Sequence, residues 1–121
     1  MNDALYPKPS RALAEKRTQL APEIDAAFRQ FSDAVFKDGA LPRKTKQLIA
    51  VAVAHVTQCP YCIQGHTKAA TRDGATPAEI MEAIWVAAEM RAGGAFAHSA
   101  LALDTLETIG AHGKPHGTPA A

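Results

Sequence analysis

Four prolines divide most of this chain into segments that have the composition of α-helices. Each stands at or beside the start of a segment rich in apolar side chains, and these prolines are Pro22, Pro42, Pro60 and Pro77. Proline suits the first turn of a helix because the backbone N–H that it lacks has no partner there. Alanine is abundant, and no Asn-Gly or Gly-Asn pair favours a β-hairpin. The sequence therefore predicts an all-α bundle of about six helices.

Capping residues and breaks set the predicted helix boundaries. Ser10 is a suitable N-cap for the first helix, and Thr76 with Glu79 can form a capping box at the start of the fifth. A bend is expected near Thr57-Gln58, before the fourth helix. The pair Gly93-Gly94 is expected to separate the fifth helix from a sixth and last one.

The apolar residues predict where this chain packs. One face of the second helix and the single tryptophan are predicted core positions: Phe28, Phe31, Val35 and Trp85. The third helix, with the run LIAVAVAHV, is apolar on nearly every side, which implies burial within the fold or at a subunit interface. A homo-oligomer is therefore expected. Residues 1–110 are predicted to form one domain, and residues 111–121 a flexible tail.

Composition excludes several classes of function. The 121 residues carry 13 basic and 12 acidic side chains without a basic run, which disfavours nucleic-acid binding. The longest apolar stretch, 48–56, is far shorter than the roughly 20 residues of a membrane span. The first residues do not resemble a secretion signal, so the cytoplasm is the expected compartment.

Both cysteines lie within the string CPYC at 59–62, and a histidine follows one helical turn later. Two thiols at this spacing can form a small disulfide ring and so exchange electrons in pairs. Cys59 stands at or next to a helix N-terminus, where a thiolate is favoured. Cys62 and His66 are spaced i, i+4, so the imidazole can take or return the thiol proton. The predicted chemistry is thiol redox chemistry.

Other polar residues could serve this site or a different one. Gln47 would face the thiols if the third helix packs along the fourth, and Tyr61 could line the pocket. His55 could be a proton relay or a core histidine, and His98 could act if its helix folds back over the centre. A zinc site remains an alternative, because two imidazoles and two thiols follow the pattern H-x3-C-x2-C-x3-H, formed by His55, Cys59, Cys62 and His66.

Residues 41–95 resemble the AhpD-like alkylhydroperoxidase core of the carboxymuconolactone decarboxylase superfamily. The features that carry the resemblance are KTK before an apolar helix, CxxCxxxH, a Gly-Ala-Thr turn, a further helix and a glycine pair. The resemblance implies a helical protein that forms trimers or hexamers and uses no metal or organic cofactor. It also implies a peroxidase or disulfide reductase whose partners are a hydroperoxide or disulfide substrate and an external dithiol, protein or lipoyl.

The same resemblance assigns roles to individual residues. It makes Cys62 the peroxidatic thiol, Cys59 the resolving thiol and His66 the relay base. Two positions depart from the pattern, because Gln47 replaces a glutamate and Tyr61 replaces a histidine. His55 could then substitute as the proton acceptor.

Two further interpretations follow from the family and the motif. The other branch of the superfamily decarboxylates a lactone without a CxxC pair, and an enzyme of that kind could use His66 and His98 on a small organic acid. The CxxC pair could also belong to a redox-sensing module that reports to a partner. CPYC occurs in glutaredoxins too, but their fold requires strands around the motif, and this sequence does not supply them.

Overall fold

The all-α fold is confirmed by a computed structural model, which describes residues 5–112. This part of the chain forms five helices: α1 (Arg11–Leu20), α2 (Pro22–Phe36), α3 (Arg43–Thr57), α4 (Pro60–Arg72) and α5 (Pro77–His112). Among the described helices, none combines the length and the apolar character that crossing a membrane requires. From residue 113 onward, the predicted tail lies outside the described residues.

The packed centre of the fold lies where α3 contacts both α4 and α5. Val51 of α3 and Ala70 of α4 are completely buried there, and Ile80 and Ile84 of α5 pack against them. Small side chains allow the helix axes to approach closely, because little volume separates the backbones. This centre holds α4 in a fixed position relative to α3.

The predicted caps are confirmed. Ser10 accepts a hydrogen bond from the backbone N–H of Leu13 at 3.2 Å. Thr76 and Glu79 form the capping box, since the Thr76 N–H donates to the Glu79 carboxylate at 2.8 Å and the Glu79 N–H donates to Thr76 Oγ1 at 3.1 Å. The Glu79 carboxylate also pairs with the Lys44 ammonium at 2.9 Å, which ties the start of α5 to the start of α3.

The predicted break at Gly93-Gly94 is wrong, because α5 runs through both glycines without interruption. Each glycine costs a helix about 1 kcal/mol relative to alanine. The flanking segments are rich in alanine, leucine and other strong helix formers, which offset that cost. One helix of 36 residues therefore replaces the two that the sequence predicts.

Helices α1 and α2 form a hairpin that contacts the packed centre mainly through the end of α2. The Lys46 ammonium of α3 donates to the carbonyls of Val35 and Lys37 at 2.8 and 2.5 Å and so fixes that end. The predicted core residues of α2 are wrong for the single chain: Phe28, Phe31 and Val35 are 67%, 65% and 42% exposed.

Trp85 is a second incorrect core prediction, since it is 67% exposed on α5. Its apolar neighbours in sequence predict burial, but they do not specify whether the same chain supplies the covering surface. The face of α5 that contacts α3 instead carries smaller residues, such as Ala87, which is 5% exposed.

Candidate functional site

The turn between α3 and α4 positions the first cysteine. Gln58 ends α3 in the left-handed conformation (φ 58°, ψ 50°), which confirms the predicted bend. The N–H groups of Gln58 and Cys59 both point back to the carbonyl of Ala54. Cys59 is then the N-cap of α4, and its Sγ accepts from the backbone N–H of Cys62 at 3.3 Å. The local structure thus places one sulfur at the positive end of a helix dipole.

The two cysteines form a disulfide, and their Cα atoms lie 5.2 Å apart. Both residues are partly buried rather than enclosed. The pair therefore combines a fixed position at the helix N-terminus with access from outside, which a redox-active disulfide requires.

His66 is held from two sides. Its Nδ1 lies 2.7 Å from Oε1 of Gln47, which is only 6% exposed. The ring of Phe36 stacks on the imidazole with centroids 5.1 Å apart and planes 28° from parallel. The amide comes from α3, the aromatic ring from the end of α2 and the histidine from α4, so the orientation of the imidazole depends on three helices.

The contact with the Gln47 amide oxygen determines which ring nitrogen carries the hydrogen. A carbonyl oxygen only accepts, so the hydrogen of a neutral His66 lies on Nδ1 and the lone pair on Nε2. Gln47 can orient the ring, but an amide neither gives nor takes a proton at neutral pH.

Two clefts of different chemistry meet at Cys62 and His66, which line both. The first, the apolar cleft, has a volume of about 400 Å³ and is lined chiefly by aliphatic residues, among them Val35, Ile49, Val53 and Ala54. The ammonium of Lys46 also reaches it, but that group is bonded to two backbone carbonyls. The second, the polar cleft, has a volume of about 1010 Å³, and its charged lining consists of Arg29, Asp33, Lys37, Arg43 and Arg72.

Tyr61 lies between the cysteines in sequence and lines the polar cleft. Its hydroxyl donates to the carbonyl of Pro7 at 2.7 Å, and its ring meets Tyr6 edge to face at 5.9 Å. The segment before α1 is thereby attached to the start of α4. The phenol proton is engaged by a backbone carbonyl.

His55 and His98 lie apart from this arrangement. His55 bonds through Nδ1 to the carbonyl of Val51 at 2.7 Å, and His98 bonds in the same way to Gly94 at 2.8 Å. Neither histidine lines the apolar or the polar cleft. Each of these bonds joins a histidine to the preceding turn of its own helix.

The zinc alternative is not supported by the positions of its four candidate ligands. Within residues 5–112, no three histidine, cysteine, aspartate or glutamate side chains are grouped closely enough to hold a metal ion. The two sulfurs are bonded to each other, and Nδ1 of His66 faces the Gln47 amide.

Sequence reasoning missed three residues that shape the site. Phe36 stacks on His66, Lys46 fixes the end of α2, and Arg72 lines the polar cleft. Arg72 could have been found, since it follows Ala69 by three residues and Ala69 follows His66 by three, so that neighbours in this series are adjacent on α4. The contacts of Phe36 and Lys46 depend on how α2 meets α3, and no local pattern records that.

Comparison with known proteins identifies one family to which this chain is similar. Residues 22–105 match the model of the carboxymuconolactone decarboxylase family. A Paracoccus denitrificans protein described as uncharacterized protein 4 in the cox locus is 61% identical over 109 residues, which is 90% of this chain and 97% of that protein.

Two solved structures are also similar. A carboxymuconolactone decarboxylase family protein from Legionella pneumophila is 36% identical with a TM-score of 0.64, covering 79% of this chain and 86% of that one. A protein from Methanobacterium thermoautotrophicum is 35% identical with a TM-score of 0.65, covering 69% of this chain and 93% of that one.

Proposed function

Because this chain belongs to the carboxymuconolactone decarboxylase family, we propose that it is an AhpD-like thiol enzyme that reduces hydroperoxides or disulfides. The observation that carries the proposal is the Cys59–Cys62 disulfide at the start of α4, with His66 one helical turn beyond it. A disulfide ring at a helix N-terminus is suited to opening and closing as an electron pair moves, because the helix stabilises the thiolate that forms.

The oxidative half of the reaction uses the two sulfurs in order. In the reduced protein, the Cys62 thiolate attacks the terminal oxygen of a hydroperoxide, the O–O bond breaks and an alcohol leaves after taking up a proton. Cys62 is then a sulfenic acid. The sulfur of Cys59 attacks it, water leaves and the disulfide forms. Two thiols and one hydroperoxide give one disulfide, one alcohol and one water.

His66 is the proposed base for Cys62. Its Nδ1 hydrogen is directed to Gln47, so Nε2 carries the lone pair that can take the thiol proton. Phe36 covers one face of the ring and limits its rotation. Gln47 orients the imidazole without exchanging protons, which distinguishes this site from one with a glutamate at that position.

The apolar cleft supports an organic hydroperoxide as the substrate. Its aliphatic lining can cover a hydrocarbon group whose peroxide oxygens meet Cys62. Two of the three hydrogens of the Lys46 ammonium are directed at carbonyls of α2, so the lining left for the substrate is chiefly aliphatic.

The proposal includes a homo-oligomer, a trimer or hexamer, in the cytoplasm, with an external protein or lipoyl dithiol as the reductant. Large apolar side chains are exposed along α2 and the end of α5, including Phe28, Phe31, Phe96 and Leu101. Surfaces of this size on a small chain indicate a protein contact. A CxxC pair that must be reduced in each cycle is suited to a compartment that supplies dithiols.

The test is hydroperoxide consumption with dihydrolipoamide as the electron donor. The Cys62→Ser variant should fall to the rate without protein, because it lacks the attacking thiolate. The matched Cys59→Ser variant, first reduced and then freed of the donor, should consume about one equivalent of hydroperoxide and then stop, because its sulfenic acid has no resolving partner. Full turnover in Cys62→Ser, or in a variant without either cysteine, would contradict the mechanism.

A further inference from the structure

The polar cleft approaches the same sulfur as the apolar cleft but presents different groups. Cys62 and His66 line both, so this cysteine can be reached from two directions. A disulfide enzyme has two reaction partners in each cycle, an oxidant and a reductant. The difference in lining suggests a separate partner for each cleft.

The charges of the polar cleft are only partly neutralised within the described chain. Arg29 pairs with Asp25 at 2.8 Å, and Arg43 pairs with Asp73 at 3.2 Å. Asp33, the acidic residue of the lining, acts electrostatically on Arg29.

Two cations of the lining remain. Among residues 5–112, neither Lys37 nor Arg72 has a carboxylate within ion-pair distance. The polar cleft therefore offers an ammonium and a guanidinium group to an anion.

We propose that the polar cleft binds the carboxylate of a small dithiol reductant and directs its thiols to Cys62. This inference rests on the proposed function, since it requires that the disulfide be reduced during turnover. Arg72 is the principal carboxylate partner, because guanidinium binds carboxylate with two parallel hydrogen bonds, and Lys37 adds positive charge from the end of α2.

The spacing along α4 suits a ligand with a carboxylate at one end and thiols at the other. Cys62, His66, Ala69 and Arg72 follow one another at steps of four, three and three residues and all line the cleft. Ten residues of helix span about 15 Å. A side chain on a helix inclines toward the N-terminus, so the Arg72 side chain extends over part of that distance. A reductant with about five carbons between its carboxylate and its nearer thiol can bridge the rest.

The reductive step is balanced by one dithiol. One thiolate of the reductant attacks Sγ of Cys62, the Cys59–Cys62 bond breaks, and Cys59 leaves as a thiolate at the N-cap of α4, where the Cys62 N–H stabilises it. The second thiolate then attacks the first sulfur of the reductant and releases Cys62. The reductant ends as a cyclic disulfide, and its two protons pass to the protein thiols or to water.

The experiment compares dihydrolipoate with dihydrolipoamide, which differ only in a terminal carboxylate or amide. The readout is the rate at which each opens the disulfide of the oxidised full-length protein, followed by thiol alkylation and mass spectrometry. Each rate is divided by the rate at which the same dithiol reduces a small neutral disulfide, which removes any difference in the intrinsic reactivity of the two dithiols. We expect dihydrolipoate to react roughly two- to fivefold faster at low ionic strength, and salt to reduce the difference.

Variants then assign the preference to the cleft. Arg72→Gln should abolish it and Arg72→Lys should keep part of it, whereas Lys68→Gln, an exposed position on α4 outside the cleft, should leave it unchanged. Thermal melting of each variant checks that the fold is retained. The double variant Lys37→Gln/Arg72→Gln should also show no preference, whereas Lys68→Gln should be reduced by dihydrolipoamide at the wild-type rate.

Three outcomes would overturn the inference. Equal rates for the two dithiols in the wild type would remove the carboxylate site while leaving the proposed function intact. A preference that survives Arg72→Gln and the double variant would place it elsewhere. A further assay gives the reduced protein a carboxylated hydroperoxide or cumene hydroperoxide. If the carboxylate raises the rate in that assay but not in the reduction by dithiols, the cleft binds the substrate instead of the reductant. Failure of both dithiols to open the disulfide would count against the proposed function itself.

Discussion

The two halves of α5 have similar apolar character but different surroundings. In the covered half, residues 77–92, one face packs on α3. There Ile80 and Ile84 contact the buried Val51, and Ala87 is 5% exposed. In the open half, residues 93–112, the large apolar side chains are exposed, and Phe96 is 83% exposed. Within residues 5–112, packing against α3 buries one face of the first half and leaves the large apolar side chains of the second half exposed. We expect a partner molecule to provide the surface that covers the second half.

The largest effect is expected on oligomerisation, from a charge placed in the open half of α5. Leu103, 60% exposed, is a suitable position, and Leu103→Asp should separate the oligomer into folded monomers. A carboxylate buried in an apolar contact lacks hydration, so the dissociation constant should rise roughly thirtyfold or more. Sedimentation velocity over a range of concentrations measures the change.

The control for this prediction is Gln64→Asp, which adds the same charge at an exposed polar position on α4. It should leave the sedimentation coefficient unchanged. A wild-type protein that stays monomeric at micromolar concentration would contradict the comparison, because the open half of α5 would then have no partner.

A second prediction concerns the stability that the covered half gains by packing on Val51 of α3. Val51→Ala removes two buried methyl groups from a position of 0% exposure, and we expect a loss of about 2 kcal/mol in the free energy of unfolding. Val53→Ala is the matched control on the same helix, at 50% exposure. Its cost should stay below about 1 kcal/mol in urea denaturation of the dissociated chain. Equal losses of unfolding free energy in Val51→Ala and Val53→Ala would contradict this prediction, because the buried and the exposed valine would then contribute equally.

The contrast between these halves also explains which parts of the fold could be predicted. Caps depend on residues close in sequence, so Ser10 and the Thr76–Glu79 box were predicted correctly. The break at Gly93-Gly94 was not, because two glycines are too few to end a helix with strong formers on both sides. Trp85 has the apolar context of a core residue, and that context is the same whether another segment or another molecule covers it.

The candidate site divides in the same way. The disulfide and the i, i+4 relation of Cys62 to His66 are local, and the sequence contains both. The bond between Gln47 and His66 joins residues 19 apart and requires that α3 lie along α4. The sequence alone leaves that packing open, and the structure shows it. The stacking of Phe36 on the imidazole could not be predicted, because it depends on where α2 ends in space.

A third, smaller effect should come from placing a carboxylate beside His66. In Gln47→Glu, the acid limb of the peroxidase pH–rate profile should move to higher pH by roughly one unit, because a carboxylate stabilises the imidazolium and the base becomes neutral only at higher pH. The charged groups that share the clefts with His66, chiefly Lys46, Lys37 and Arg72, are the same in both proteins, so the difference between the two profiles reports the added carboxylate. The profile of kcat/KM measures it.

Gln47→Leu provides the control for that prediction. It removes the hydrogen bond to Nδ1 without adding a charge, so the rate should fall while the acid limb does not move upward. Long-range proton–nitrogen NMR correlations should show hydrogen on Nδ1 of His66 in the wild type and a mixture of tautomers in Gln47→Leu. A wild-type ring with its hydrogen on Nε2 would contradict the proposed orientation.

The smallest effect concerns the capping box that begins the covered half of α5. The hydrogen bond from the Thr76 N–H, followed by that from Lys44, lowers the pKa of Glu79 below its ordinary value of 4.5. A carboxyl whose pKa is lower in the folded state stabilises the fold above its unfolded pKa, and that contribution disappears as the pH falls through the folded pKa. Wild type should therefore melt a little higher than Glu79→Gln at pH 7.

The difference in melting temperature should shrink steadily below about pH 4.5, where Glu79 begins to be protonated in the unfolded chain, and should vanish once the folded carboxyl is protonated too. The exposed ion pair with Lys44 adds little, so salt should change the difference only slightly. A difference that grows as the pH falls would have the wrong sign for a cap of this kind. The attachment of α5 to α3 would then rest on the apolar contact with Val51 and on the hydrogen bond from Arg91 to the Val56 carbonyl at 3.0 Å, both of which lie within the covered half.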